Sequence, residues 1–217
     1  MAECGLINLG SCLSQKFFEF AESQLKLEIE ASPEDARYPL FLGLLLRRVG
    51  RDDEGIKYLQ LAQSLSSTKQ ILLFELAGAY FNRGDKEKAL QLAETAYRLA
   101  PQYNEAIGVY AQMLAYNNRP TEARALLSNI VRPSASLINT FIELGDLQTV
   151  LELWQQLVNS DPRNVQYRFS LAATYLQLGQ RQQSIKTLQE AISLDPNMAE
   201  SANYLIKEIQ SGRNPIR

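Results

Sequence analysis

The feature that most constrains this chain is a turn signal that returns every 34 residues. Gly50 and Gly84 are 34 positions apart, as are Gly84 and Asn118, and Gly145 and Gly179 keep the interval. Pro162 and Pro196 keep it as well. Glycine and asparagine enter the left-handed backbone region at little cost, so each of these positions marks the end of one helix and the start of the next. Arg83-Gly84-Asp85 and Leu144-Gly145-Asp146 show the pattern. A fixed period of this length belongs to a stacked array of supersecondary units.

Between the turns, apolar residues fall at helical spacing. Leu73, Leu76, Ala77 and Tyr80 precede Gly84, and Ala89, Leu90, Ala93 and Ala96 follow it. The same columns recur as Leu171, Ala172 and Tyr175, then Ser184, Ile185, Leu188 and Ala191. Small residues return where two helices must approach closely: Gly43, Ala77, Ala111 and Ala172 on the first helix, and Gly55, Ala89, Ala123 and Ser184 on the second. A bulky replacement there should separate the pair. Each unit is therefore a helical hairpin, and the chain is expected to be all-α.

Counted within a unit, the pattern is a small residue at position 8, an aromatic at 11, glycine at 15, a small residue at 20 and proline at 32. This pattern resembles the tetratricopeptide repeat (TPR) family. The resemblance implies a right-handed superhelical solenoid of antiparallel helix hairpins. It covers nearly the whole chain as a single domain over 1–217, with units at 36–69, 70–103, 104–130, 131–164 and 165–198. An imperfect leading unit at 2–35 is marked by Ala21, Leu25 and Pro33. The family's usual tryptophan at position 4 is absent, and Trp154 occupies a second-helix position instead.

One interval is short. From Asn118 to Gly145 the step is 27 residues. The missing seven are close to two helical turns, so their loss shortens a helix while leaving its buried face in phase. The expectation puts the loss on the second helix, from about Thr121 to Ile130 and stopped by Pro133, with a local change of curvature. After Pro196, residues 197–210 place Met198, Ala202, Leu205, Ile206 and Ile209 on one face, which reads as a helix capping the open end of the stack. Gly212 should end it and leave 211–217 as a loose tail.

Composition narrows the function. The chain has no histidine, which removes His general bases, Ser/His and Cys/His nucleophile pairs and His metal ligands. Carboxylate or lysine catalysis remains open. A net charge of -2 offers no general attraction to nucleic acid or anionic membranes. Cys4 and Cys12 would lie about 12 Å apart on one helix, beyond disulfide reach, and two cysteines without histidine fall short of a zinc site. Met1 to Gln15 is interrupted by Glu3, Asn8 and Ser11, unlike a signal peptide, and no segment reaches the roughly 20 apolar residues that span a bilayer. The chain is read as cytoplasmic, or as lying on the cytoplasmic side of the inner membrane should it be part of a larger membrane protein. No cofactor, metal, nucleic acid or membrane insertion is expected.

In the family it resembles, first helices line a concave surface. At about 100° per residue, positions 2, 5, 9 and 12 share a stripe away from packing positions 4, 8 and 11. That stripe is the candidate groove for a protein or peptide partner: Arg37, Leu40, Leu44, Arg47, Phe74, Phe81, Gln112, Asn139, Gln166 and Phe169, with Asn82 and Tyr116 at its margin. An equal alternative is that Leu40, Leu44 and Phe74 pack against neighbouring helices. Arg47 and Arg48 would supply charge to an apolar patch. The Lys and Asn clamp by which some TPR domains hold acidic chaperone tails is absent, since the corresponding positions carry Leu40, Leu44, Glu75, Glu105 and Val109.

The runs from Ile138 through Gly145-Asp146, from Gln166 to Tyr175 and from Ile206 to Pro215 are similar to repeat regions that follow the membrane domain in bacterial O-antigen ligase or polymerase-like proteins. That resemblance implies the soluble module of a glycan-assembly protein, with catalysis elsewhere. Two other readings stay open: a glycan-modifying enzyme using carboxylates such as Glu75 and Glu105, and a module for self-association.

Overall fold

The structure, a computed structural model, describes residues 9–128 and 130–215, with side chains from residue 15 onward. Cys4 lies outside the described residues, and Cys12 lies on the first helix with its side chain outside them. Among the described residues there are twelve α-helices, one short 3-10 turn and no strand. The contacts divide the chain into two compact units, Met1–Pro101 and Gln102–Arg217.

In the first unit, α1 (Leu9–Ala31) packs on α2 (Arg37–Arg48), which forms a hairpin with α3 (Asp52–Leu65). Helix α3 packs on α4 (Gln70–Asn82), which pairs with α5 (Lys86–Leu99). In the second unit the hairpins are α6 (Asn104–Tyr116) with α7 (Pro120–Leu127), α8 (Ala135–Glu143) with α9 (Leu147–Ser160), and α10 (Val165–Gln177) with α11 (Arg181–Leu194). A 3-10 turn, Pro196–Met198, leads into α12 (Ala199–Gln210), which lies against α11. The described part of the leading unit, α1, is one continuous helix of 23 residues without an internal turn.

The repeating turn works as its residues dictate. Gly84 stands at φ +88, and its N–H donates to the Phe81 carbonyl at 2.8 Å. The next N–H, of Asp85, reaches back to the Tyr80 carbonyl at 2.9 Å, closing a Schellman-type end. The Asp85 carboxylate then accepts from the Lys88 N–H at 3.1 Å and begins α5. Asn118, at φ 59, does the work of glycine in the turn between α6 and α7.

The small columns mark helix crossings. A Cβ on Gly43 would lie 2.9 Å from the Gly55 carbonyl oxygen, and one on Gly55 would lie 2.8 Å from the Gly43 oxygen, so α2 and α3 meet backbone to backbone. In the last hairpin the same columns hold Ala172 and Ser184, and the Ser184 hydroxyl donates to the Ala172 carbonyl at 2.8 Å. Placing that hydroxyl in the core costs little because it is satisfied there.

The short interval is taken from two helices. Helix α7 has 8 residues where α5 and α9 have 14, and α8 has 9 where α4 and α10 have 13. Helix α7 ends at Leu127, short of Ile130, and the connection 128–134 is longer than the 66–69 connection between α3 and α4. Pro133 disfavours helix at the residue before it, and the Ser134 hydroxyl accepts from the Leu137 N–H at 3.2 Å to restart one. Ile130 and Pro133 are buried, so the longer connection fills space that the shortened helices give up.

At the end of the second unit, Ala202, Ile206 and Ile209 of α12 cover Ala172, Leu176, Ile185 and Leu188. Met198, expected on that face, lies in the 3-10 turn and is exposed. The expected loose tail is anchored as far as it is described. Gly212 turns at φ +86, Arg181 donates to its carbonyl at 2.9 Å, and Arg213 pairs with Glu208 at 2.6 Å.

Candidate functional site

Clefts open beside the first helices in both units. In the first, Phe41, Leu44, Leu45, Arg47, Arg48 and Glu75 surround a space of about 470 Å³. In the second, a polar cleft of about 420 Å³ lies between α6 and the 128–134 connection, walled by Glu105, Gly108, Gln112, Arg132, Ser134 and Ser136. A smaller, apolar cleft of about 250 Å³ lies between α10 and α12, walled by Gln166, Phe169, Ala173, Leu205, Ile209 and Pro215.

Arg47 departs from the expectation that it supplies charge to a partner. Its side chain is only 15% exposed, and its guanidinium donates to the Glu75 carbonyl at 3.1 Å and to the Glu75 carboxylate at 2.9 Å. Its stem lies against Gly55, where a Cβ would come 2.6 Å from Arg47 Cγ, and its head passes over Gly78, where a Cβ would sit 3.6 Å away. Two glycines thus make the channel through which Arg47 ties α2 to α4. Glu75, considered above as a carboxylate for catalysis, is half-buried as its partner. Arg48 is exposed and carries the cation of this cleft.

The other stripe residues divide. Leu40, Leu44, Phe74 and Phe81 are half-buried, so packing takes a share of each. Arg37 is exposed and grips Asp35 with bonds of 2.6 and 3.0 Å, which hold that carboxyl at a pKa of about 2. Asn82 is exposed at the end of α4. In the second unit the Gln112 amide donates to Thr140 Oγ1 at 2.9 Å, and the Tyr116 hydroxyl donates to the Glu143 carboxylate at 3.0 Å. These bonds join α6 to α8. Burial pushes the Tyr116 phenol above its ordinary pKa; Glu143 adds to the shift and the Thr140 hydroxyl opposes it. Asn139 is exposed on α8, while Gln166 and Phe169 share the apolar cleft.

Among the wall residues not read from the sequence are Arg132, Ser134 and Ser136, all supplied by or beside the longer connection. The 27-residue step carried the signal, since residues released from helix must go into a loop, and Pro133 marks where. Arg132 has no ion-pair partner among the described residues. Phe41, 53% exposed, was missed because it sits at position 6, one residue outside the stripe. Among the described residues no group of three or more carboxylate or cysteine side chains could hold a metal ion. None of the described helices is long and apolar enough to cross a membrane.

Two stretches of the chain match family models described as tetratricopeptide repeat: residues 70–104, which hold α4 and α5, and residues 165–198, which hold α10 and α11. No curated protein matches the chain in sequence. Among solved structures, a tetratricopeptide repeat protein from Parabacteroides merdae is similar at a TM-score of 0.56 and 17% identity, over 92% of this chain and 95% of that one. YrrB, described as a TPR protein with an unusual peptide-binding site, is similar at 0.50 and 18%, over 84% of this chain and 97% of its own. The anaphase-promoting-complex hetero-tetramer Cut9–Hcn1 is similar at 0.51 and 14%, over 91% of this chain and 40% of that one. At such identities these likenesses speak for the fold. The two matched repeats and the recurring left-handed turns agree with that likeness: the described chain is all-α and has the fold of tetratricopeptide-repeat helix hairpins.

Proposed function

We propose that the chain is a non-catalytic scaffold that binds a protein or peptide partner along its first helices. The observation that carries this reading is that the same stripe positions recur on the cleft walls. Positions 2, 5 and 9 are Glu105, Gly108 and Gln112 on α6, and Gln166, Phe169 and Ala173 on α10. The polar cleft offers an amide, two hydroxyls and the Arg132 guanidinium, which suit a peptide backbone and an acidic side chain. The apolar cleft, walled by Phe169 and Leu205, suits one apolar side chain. Tetratricopeptide repeats generally serve as interaction scaffolds, which agrees with the matches at 70–104 and 165–198.

The carboxylates considered for catalysis have other work. Glu75 pairs with Arg47, and Glu105 accepts from the Tyr103 hydroxyl at 3.0 Å. The narrower reading, the cytoplasmic module of an O-antigen ligase-like glycan-assembly protein, rests on the resemblance of sequence runs alone; the scaffold role does not depend on it.

A displayed-peptide library selected on the immobilised chain tests the proposal. Selected peptides should lose about tenfold or more in affinity, or about 1.4 kcal/mol, with Arg132→Ala or Phe169→Ala, while circular dichroism stays unchanged. Equal binding by both variants would remove the clefts from the reading, and turnover of a sugar nucleotide by the purified chain would overturn the non-catalytic part.

A further inference from the structure

We propose that α1 is a self-association helix, through which two copies of this chain pair antiparallel. Helix α1 has two apolar stripes. Phe18, Ala21, Leu25 and Ile29 are half-buried against their own unit, where Arg51 holds Glu22 at 2.6 Å and lies over the Phe18 ring at 5.9 Å. Pointing about 130° away at 100° per residue, a second stripe carries Phe17, Phe20 and Leu27, which are 71%, 63% and 57% exposed. Among the described residues nothing covers them. Three large apolar side chains on one exposed stripe cost hydration that a partner would recover.

The spacing says what kind of partner. Phe17, Phe20, Gln24 and Leu27 are separated by three, four and three residues, the a/d alternation of a coiled-coil seam. The charges beside the seam favour a second copy over any other partner. In an antiparallel pair centred at residue 22, Phe17 meets Leu27 of the partner subunit and Phe20 meets Gln24 of the partner subunit, so every exposed apolar residue is used. In the same register Lys16 lies on the same flank as Glu30 of the partner subunit, and two-fold symmetry makes that pair twice. Lys16 and Glu30 are exposed and have no side-chain partner among the described residues of their own chain. A parallel pair would set Lys16 beside Ala21 and would use neither charge. Two-fold pairing therefore satisfies the stripe and its flanking charges together.

The contact is about 11 residues long, roughly 16 Å at 1.5 Å per residue, so it forms a weak dimer. Sedimentation equilibrium of the full chain, from about 1 to 500 micromolar, should give a reversible monomer–dimer equilibrium that weakens with salt. Phe20→Asp should leave only monomer across that range. Lys16→Glu and Glu30→Lys should each raise the dissociation constant about three- to tenfold, and the double exchange should restore it. All three positions are exposed, so thermal unfolding of each variant should match the parent. A parent chain that stays monomeric throughout would overturn the proposal. So would a dimer indifferent to Phe20→Asp, a double exchange that fails to restore affinity, or a monomer that instead sediments with phosphatidylcholine vesicles. None of these outcomes bears on the peptide clefts, which belong to other helices.

Discussion

Asp146 shows how much one side chain can carry in a repeat of this kind. It follows the left-handed Gly145 and is the cap of α9, accepting from the Thr149 N–H at 3.2 Å and the Thr149 hydroxyl at 2.8 Å. It also takes a fork from Arg124 of α7 at 2.7 Å. Its burial raises the pKa, but the bonds from Arg124 and Thr149 overcome that and leave it below the usual carboxylate range. A carboxyl depressed in the folded state stabilises fully above its unfolded value, near 4, and loses that contribution as pH falls through the folded value. Asp146→Ala should cost about 1–3 kcal/mol in urea unfolding at neutral pH, because cap and ion pair go together. Asp146→Asn keeps an oxygen for the cap and should cost less. The gap between parent and Asp146→Asn should close as the same titration is run below about pH 4. The cap was legible in Leu144-Gly145-Asp146, since aspartate after a left-handed glycine is a helix start. The fork from Arg124 was not, because it depends on how closely the shortened α7 approaches that turn.

At the scale of the element, the 34-residue interval predicted which segments pair, and the small columns predicted where they touch. Gly43 and Gly55 are the tightest case. A methyl at Gly43 would sit 2.8 Å from Leu59 Cγ, which could shift, and 2.9 Å from a backbone oxygen, which cannot shift without moving α3. Gly43→Ala should therefore destabilise the chain by about 1–3 kcal/mol in thermal or urea unfolding, although alanine is the better helix former. A neutral or stabilising result would mean that the two helices slide apart without cost. The 27-residue step is the converse case. Its total was legible from turn to turn, but its division between α7, α8 and their connection was not. That division depends on Pro133 and on Ile130 finding a buried place, and periodicity does not register either. The groove residues follow the same logic. Helical angle put Gln112, Gln166 and Phe169 on one stripe, but it could not say that Arg47 would be drawn away to Glu75, because that depends on the space left by Gly78 on a neighbouring helix.

At the largest scale, the hairpins within each unit are held by contacts between neighbours along the chain, so damage should spread by adjacency and fade with distance. The end of the second unit is the place to measure this. Helix α12 has one apolar face, and its Ile206 and Ile209 close the core formed by Leu176, Ile185 and Leu188. Its other face is polar, with Glu200, Asn203 and Lys207 exposed. Ile206→Ala removes three carbons from that core and should cost the end of the stack about 2–4 kcal/mol. In a compact two-state domain the loss would lower the protection of every slowly exchanging amide alike. In a nearest-neighbour stack it should instead raise hydrogen exchange in α10, α11 and α12, with a smaller rise in α9 and none in α6. Exchange measured by mass spectrometry at peptide resolution distinguishes the two patterns. A uniform rise from α6 to α12 would show that the second unit folds as one cooperative block, with its repeats present in sequence but without energetic independence.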